Sequence, residues 1–154
     1  MIIRKGNFSD LAAMRRLFTD TISSVCKNDY NTDQINAWKS GADNDERWLK
    51  VMEHQLVMVA EIKGQITGFC TLDHGNYIDL LFVHKDFQHQ GIAGKLYTFI
   101  EREARHQNQK VLTADVSKTA RPFFEKMGFM VITEQTVSVK GTDLINYQMQ
   151  KELN

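Results

Sequence analysis

Ile78-Asp79-Leu80-Leu81-Phe82-Val83, the connection His84-Lys85-Asp86-Phe87, and then Gln88-His89-Gln90-Gly91-Ile92-Ala93-Gly94-Lys95 form the stretch whose reading decides the fold. The first run is apolar and reads as a strand. Behind the turn, Leu96, Phe99, Ile100 and Ala104 recur at helical spacing. A glycine-bearing turn placed there offers the unpaired N–H groups and the positive dipole end of the helix to whatever lies in front of the strand. Gly91 and Gly94 lack Cβ atoms, so an anion can approach the backbone closely. Lys95 and the Gln and His side chains add donors, and the turn reads as a phosphate site.

Two common phosphate loops do not fit. A Walker-type loop needs Ser or Thr after its Gly-Lys pair, and Gly94-Lys95 is followed by Leu96. A dinucleotide fingerprint needs three glycines at Gly-x-Gly-x-x-Gly and an acid about 20 residues further on, and neither is present.

Working outward, Val111 to Val116 reads as the strand after the helix, which implies a right-handed crossover and a parallel pair. Leu56 to Ile62 and Gln65 to Leu72 are strand-like runs joined by Lys63-Gly64, a tight hairpin dipeptide. Val131 to Val139 and Leu144 to Gln150 suggest a closing hairpin, and Ile2 to Arg4 a short opening strand. Ser9 or Asp10 is expected to cap a helix whose apolar face carries Leu11, Met14, Leu17, Phe18, Ile22 and Val25. A second helix is expected from about Thr32 to Gly41, and a shorter one through Glu46 to Met52. Pro122 is accommodated if the last helix starts with Thr119 as its cap, because no intrahelical bond is then lost. The sum is an α+β fold, a mixed sheet of six or seven strands flanked by about four helices with one parallel crossover.

At 154 residues, with 42% hydrophobic and 25% charged side chains and a single proline, the chain is expected to form one folded domain over residues 1–154. Its 19 basic and 19 acidic residues balance, which gives no support to nucleic acid or an anionic membrane as partner. No apolar run approaches a membrane span, and the N-terminus lacks the apolar core of a signal peptide, so a cytoplasmic location is expected. Cys26 and Cys70 form no CxxC pair, and the five histidines show no metal-ligand spacing, so no metal is expected. A homodimer is compatible with the sequence.

The turn resembles the acyl-CoA pyrophosphate loop of the GCN5-related N-acetyltransferases, Gln/Arg-x-x-Gly-x-Gly/Ala between a strand and a long helix, here Gln88-His89-Gln90-Gly91-Ile92-Ala93. A second block, Ser117 to Phe129 with its closing Gly128-Phe129, resembles the family's later helix and lies at the right separation. The resemblance implies a direct acetyl transfer from acetyl-CoA to a primary amine of a small molecule or peptide in a ternary complex. An acyl-CoA-binding regulatory or interaction module without turnover is the alternative.

The resemblance also assigns residues. Backbone groups of Leu81, Phe82 and Val83 would hold the pantetheine arm. The N–H groups from Gln90 to Lys95, with Gln88, His89, Gly91, Ile92, Ala93 and Gly94, would hold the pyrophosphate. Ser117 stands where relatives often have a pantetheine-touching Asn, and Phe124 would wall the cofactor.

Asp79 interrupts an apolar strand, where alternation puts it on one face with Tyr77, Leu81 and Val83. It can act as general base if burial raises its pKa, or simply pair with a neighbouring cation or orient the acceptor. Tyr77 can relay a proton or pack as an ordinary aromatic. Phe124 occupies the position where many relatives have a Tyr that protonates the leaving thiolate, which leaves Tyr97, Tyr147 or a water for that task, or a thiolate that departs unprotonated with help from the helix dipole. Tyr30, Trp38 and Trp48, near Asp29, Asp33, Asp43, Asp45 and Glu46, outline either an aromatic and acidic acceptor pocket or core anchors beside a solvated face.

Overall fold

Strands β1 (Ile2–Lys5), β2 (Leu56–Ile62), β3 (Gln65–Asp73), β4 (Tyr77–Val83), β5 (Val111–Ser117), β6 (Met130–Val139) and β7 (Thr142–Glu152) make one sheet in the order β1-β2-β3-β4-β5-β7-β6 in the computed structural model, which describes residues 1–154. Only β4 and β5 run parallel; every other neighbouring pair is antiparallel. Five α-helices flank the sheet rather than about four: α1 (Leu11–Val25), α2 (Thr32–Lys39), α3 (Asp45–His54), α4 (Ile92–His106) and α5 (Arg121–Lys126). The short run near Glu46 extends to a full helix because Asn44 caps it, its side chain accepting from the Arg47 N–H.

Each face of the sheet carries its own core. Leu96 and Ile100 of α4 are fully buried with Leu112 of β5 and Met149 of β7. On the opposite face Met14 and Ile22 of α1 and Trp48 of α3 close over Phe69 and Val59. A Cβ on Gly68 of β3 would stand 3.2 Å from Ile92 and 3.3 Å from Leu96. The first turn of α4 therefore rests on the sheet where glycine lets it approach, and this fixes the start of α4 in front of β4.

Several local expectations shift by a residue or more. Asp10 does precede α1 as expected, but its side chain makes no cap bond there; the capping box belongs to a short 3-10 turn at Phe8–Asp10, where the Asn7 side chain accepts from the Ser9 N–H and the Asp10 carboxylate accepts from the Asn7 N–H at 2.9 Å. Pro122 lies at the second position of α5, one earlier than expected, where its missing N–H still has no intrahelical partner to lose. In the Lys63-Gly64 hairpin both φ angles are positive, 50° and 79°, the turn geometry that matches strand twist.

Asp10 is buried and accepts a fork from Arg4, 2.9 Å to each oxygen. The guanidinium holds its carboxyl below the usual carboxylate range. A lowered folded-state pKa gives stability that is complete above the unfolded value near 4 and is lost as pH falls through the folded value. Asp10→Asn should therefore cost about 1–3 kcal/mol at pH 7. That difference should shrink below pH ~4 in denaturant unfolding; an equal deficit at pH 7 and pH 3 would remove the ion pair as its cause.

Candidate active site

The two parallel strands part almost as soon as they meet. β4 and β5 are registered only at Tyr77–Thr113 and Ile78–Ala114. Beyond that point β4 stays with β3 to Val83, and β5 stays with β7 to Ser117. A bulge is the local cause: Ile78 faces Leu72 and Leu80 faces Thr71, so Asp79 is the extra residue and the strand bends there. The buried Thr71 hydroxyl accepts from the Leu80 N–H at 3.1 Å, which satisfies the displaced donor. The gap opens into a cleft of about 970 Å³ that passes from α4 and α5 on one face to α1, α2 and α3 on the other.

The bulge also corrects the expected alternation. Ile78, Leu81 and Val83 lie in or against the core under α4, whereas Leu80 and Phe82 belong to the core under α1. Tyr77 and Asp79 line the hollow beside α3 and do not share a face with Leu81 and Val83. A second correction concerns Phe82. The Leu80 N–H and the His84 N–H both point toward β3, and the Phe82 carbonyl is turned to Gly68. By alternation only Leu81 and Val83 direct backbone groups into the gap, and Phe82 contributes its ring. The Val83 carbonyl already accepts from the Thr21 hydroxyl and the Gln88 amide.

At the mouth, Gly91 stands at the N-cap position of α4; its φ of 79° belongs to the left-handed region, and no side chain caps the helix. The N–H groups of Ile92, Ala93 and Gly94 are therefore free of intrahelical partners. A Cβ on Gly91 or Gly94 would meet no protein atom within 4 Å. At Gly94, where φ is ordinary, the absent side chain thus leaves room for something other than protein. Gln88 and His89 line the cleft here; Gln90 and Lys95 are exposed and lie outside its walls.

At the inner end two carboxylates meet different partners. Asp79 receives both arms of the Arg47 guanidinium at 3.0 Å and the Gln55 amide at 2.8 Å. Asp79 is thus paired with a cation. Tyr77 donates to Asp115 at 2.8 Å, and Gln135 of β6 donates to the other Asp115 oxygen at 2.6 Å. Burial, and after it the Asp115 carboxylate, pushes the Tyr77 hydroxyl pKa up, so it stays protonated. Arg47, Gln55, Asp115 and Gln135 carry no local motif. Asp115 alone had a readable signal, since it breaks the apolar run of β5 at a position opposite to buried Ala114 and Val116.

Phe124 is buried and packs edge-on against Phe123 and Phe129, lining the cleft with no hydroxyl to offer. Tyr97 donates to Glu101 at 2.7 Å, and Arg121 stacks on the Tyr147 ring at 4.5 Å; both tyrosines lie outside the cleft. The Ser117 hydroxyl faces the cleft and accepts from the Ala120 N–H at 3.1 Å. Cys26 also lines it, and burial pushes its thiol up to about 11, so it is held as a neutral thiol rather than a nucleophile.

The arm under α1, α2 and α3 is lined by Phe18, Trp38 and Trp48, and none of Asp29, Asp33, Asp43, Asp45 and Glu46 lies in its wall. Trp48 donates to the Gly41 carbonyl at 3.0 Å and Trp38 packs on Tyr30, while Asp45 pairs with Arg15, Asp29 accepts from Thr119 and Glu46 pairs with Lys50. No helix is long and apolar enough to cross a membrane.

A family model described as an acetyltransferase (GNAT) domain matches residues 26–151. The chain belongs to the GNAT acetyltransferase family. It is 33% identical over 147 residues to the uncharacterized N-acetyltransferase YafP of Escherichia coli (strain K12), a match covering 94% of this chain and 89% of that protein. A solved GCN5-related N-acetyltransferase from Rhodopseudomonas palustris superposes with a TM-score of 0.95 at 31% identity, covering 99% and 95% of the two chains. At 24% identity, the Salmonella typhimurium yncA structure, solved with its cofactor acetyl-CoA, shares the fold with a TM-score of 0.69 over 100% of this chain and 94% of that one. This GNAT chain is an acyltransferase, and the splayed gap between β4 and β5 is its candidate active site.

Proposed function

We propose that this GNAT enzyme transfers an acetyl group from acetyl-CoA directly to a primary amine in a ternary complex. The observation that carries the reading is one continuous cleft. It starts at the uncapped N-terminus of α4, runs along the unpaired edge of β4, and ends at Tyr77 and Asp79 on the far face of the sheet. The N–H groups at the start of α4 would hold the pyrophosphate, beside Gln88 and His89. Leu81 and Val83 would hold the pantetheine arm from one side and Ser117 from the other, with Phe124 as its apolar wall. A backbone N–H of β4 near the bulge would stabilise the oxyanion. The Salmonella fold neighbour holds acetyl-CoA, which supports this choice of co-substrate.

The amine would enter through the aromatic arm between Phe18, Trp38, Trp48 and Phe82. Asp79 would keep the Arg47 guanidinium at the edge of that arm. Because Cys26 is neutral, direct transfer is favoured over an acetyl-cysteine intermediate.

Acetyl-CoA added to the protein should give a measurable binding heat and a thermal shift. A panel of primary amines should then produce free CoA thiol. Binding without thiol release for any amine would make the chain a carrier of acyl-CoA rather than a transferase.

A further inference from the structure

Acetyl transfer needs one group to take a proton from the attacking amine and one to give a proton to the departing thiolate. The side chains that first suggest themselves are engaged or unsuited. Both Asp79 oxygens are held by Arg47, and one also by Gln55. Phe124 has no proton to give, and the Tyr97 hydroxyl is turned to Glu101.

A different pair stands where the strands part. Tyr77 sits at the first of the two rungs joining β4 and β5, and its hydroxyl bridges to Asp115 on β5 at 2.8 Å. Both residues line the cleft, and Asp115 projects from the side of β5 opposite to buried Ala114 and Val116, the side from which the aromatic arm opens. Gln135 orients the carboxylate through its second oxygen. Arg47, Asp79, Asp73, Glu46 and Lys50 are the other charged groups in the hollow that Tyr77 lines. The pantetheine chain has about a dozen atoms, as many as four residues of extended backbone or about 13 Å. Measured from Val83, that length brings the thioester to the bulge at Asp79, beside the Tyr77 ring.

We propose that Tyr77 and Asp115 form a proton relay that moves one proton from the attacking nitrogen to the leaving sulfur, a proposal that rests on the direct-transfer reading above. The acceptor loses its ammonium proton to water and attacks as a free amine. As the C–N bond forms, the carbonyl π pair moves onto oxygen. Tyr77 Oη takes the proton from nitrogen while its own passes to Asp115 Oδ2. The oxyanion pair then re-forms the C=O bond, and the C–S bond breaks with its electrons on sulfur. Asp115 returns its proton to Tyr77 as Tyr77 gives one to the thiolate. The products are the amide and the CoA thiol, and the relay is restored. Tyr77 is the catalytic residue here; Asp115 acts through it and Gln135 positions Asp115.

The test is steady-state kinetics on Tyr77→Phe, Asp115→Asn, Asp115→Glu and the double Tyr77→Phe/Asp115→Asn, with an amine the wild type acetylates and with calorimetry for acetyl-CoA. Tyr77→Phe and Asp115→Asn should each lower kcat by about 100-fold or more, with KM for the amine, Kd for acetyl-CoA and Tm little changed. Asp115→Glu should recover part of the loss. The double variant should be no slower than the slower single, as expected for groups that act as one unit. Tyr77→Phe turning over within about threefold of wild type, or losses that multiply in the double variant, would overturn the relay and leave the transferase reading standing. A wild type that binds acetyl-CoA but acetylates no amine would overturn that reading, and the relay with it.

Discussion

Gly91→Glu is expected to abolish acetyl-CoA binding without unfolding the protein. Two costs combine at this position. The backbone has a φ of 79°, so any side chain with a Cβ is strained there, by about 1–2 kcal/mol. That strain alone would only weaken the fold. The larger effect is electrostatic and steric, since a Cβ at Gly91 projects into open space in front of α4. A glutamate placed there would bring a carboxylate to the free N–H groups of Ile92, Ala93 and Gly94, and would offer them an internal anion in place of the pyrophosphate. The incoming diphosphate would lose its donors and meet like charge. Affinity should fall by about a hundredfold or more, equivalent to about 3 kcal/mol. Calorimetry gives the affinity and a thermal melt shows whether the fold persists. Affinity within about tenfold of wild type in a folded variant would move the pyrophosphate elsewhere. Gly94→Ala is the control: φ there is ordinary and the space is open, so a methyl group should cost the fold little.

The parts of this site that are contiguous in sequence were legible in it. Leu56 to Ile62 has the observed strand bounds, and Ile78 to Val83 falls short of β4 only by Tyr77, because apolar runs and turn dipeptides are local signals. The turn before α4 is likewise local: a glycine at a left-handed position, then a helical repeat. What escaped depends on partners distant in sequence. The bulge at Asp79 is decided by Thr71 on the neighbouring strand, whose hydroxyl takes the Leu80 N–H, and a single extra residue reverses every later side chain of β4. The fate of Asp79 rests on Arg47 of α3 and on Gln55 just past the end of that helix, 32 and 24 residues away in sequence. The bridge from Tyr77 to Asp115 exists only because the crossover through α4 returns β5 beside β4. At the first helix Asp10 is legible as the residue before α1, but the capping box at Asn7 is not, since Ser9 and Asp10 offer the same chemistry two and three residues later and only the observed hydrogen bonds separate them.

The acceptor arm yields the second large expected effect, a change in stability that tests what the aromatic wall does. Trp48 is 2% exposed and meets Phe18 edge-on at 5.4 Å and Phe69 at 6.2 Å, while its Nε1 donates to the Gly41 carbonyl at 3.0 Å. It joins α3 to α1, to the sheet, and to the segment after α2 that bounds the cleft. Trp48→Ala removes the ring, leaves a cavity and strips the Gly41 carbonyl of its donor. A loss of about 3–5 kcal/mol is expected for a truncation of this kind. In a chain of this length that corresponds to a fall in Tm on the order of 10 °C. Trp48→Phe should recover most of the packing but not the hydrogen bond, leaving a deficit of about 1 kcal/mol beyond the lost ring area. The proposed pyrophosphate site is at the start of α4, across the sheet, so acetyl-CoA affinity measured well below the melting transition should change little in either variant. The KM for the amine should instead rise in Trp48→Ala, because the wall between α1 and α3 is gone while the start of α4 is intact. Loss of acetyl-CoA affinity in step with amine affinity would mean that the cleft responds as one unit, and would withdraw the assignment of the aromatic arm to the acceptor. A fall in Tm below about 3 °C would show instead that α3 is held mainly by Val51 and its Asn44 cap.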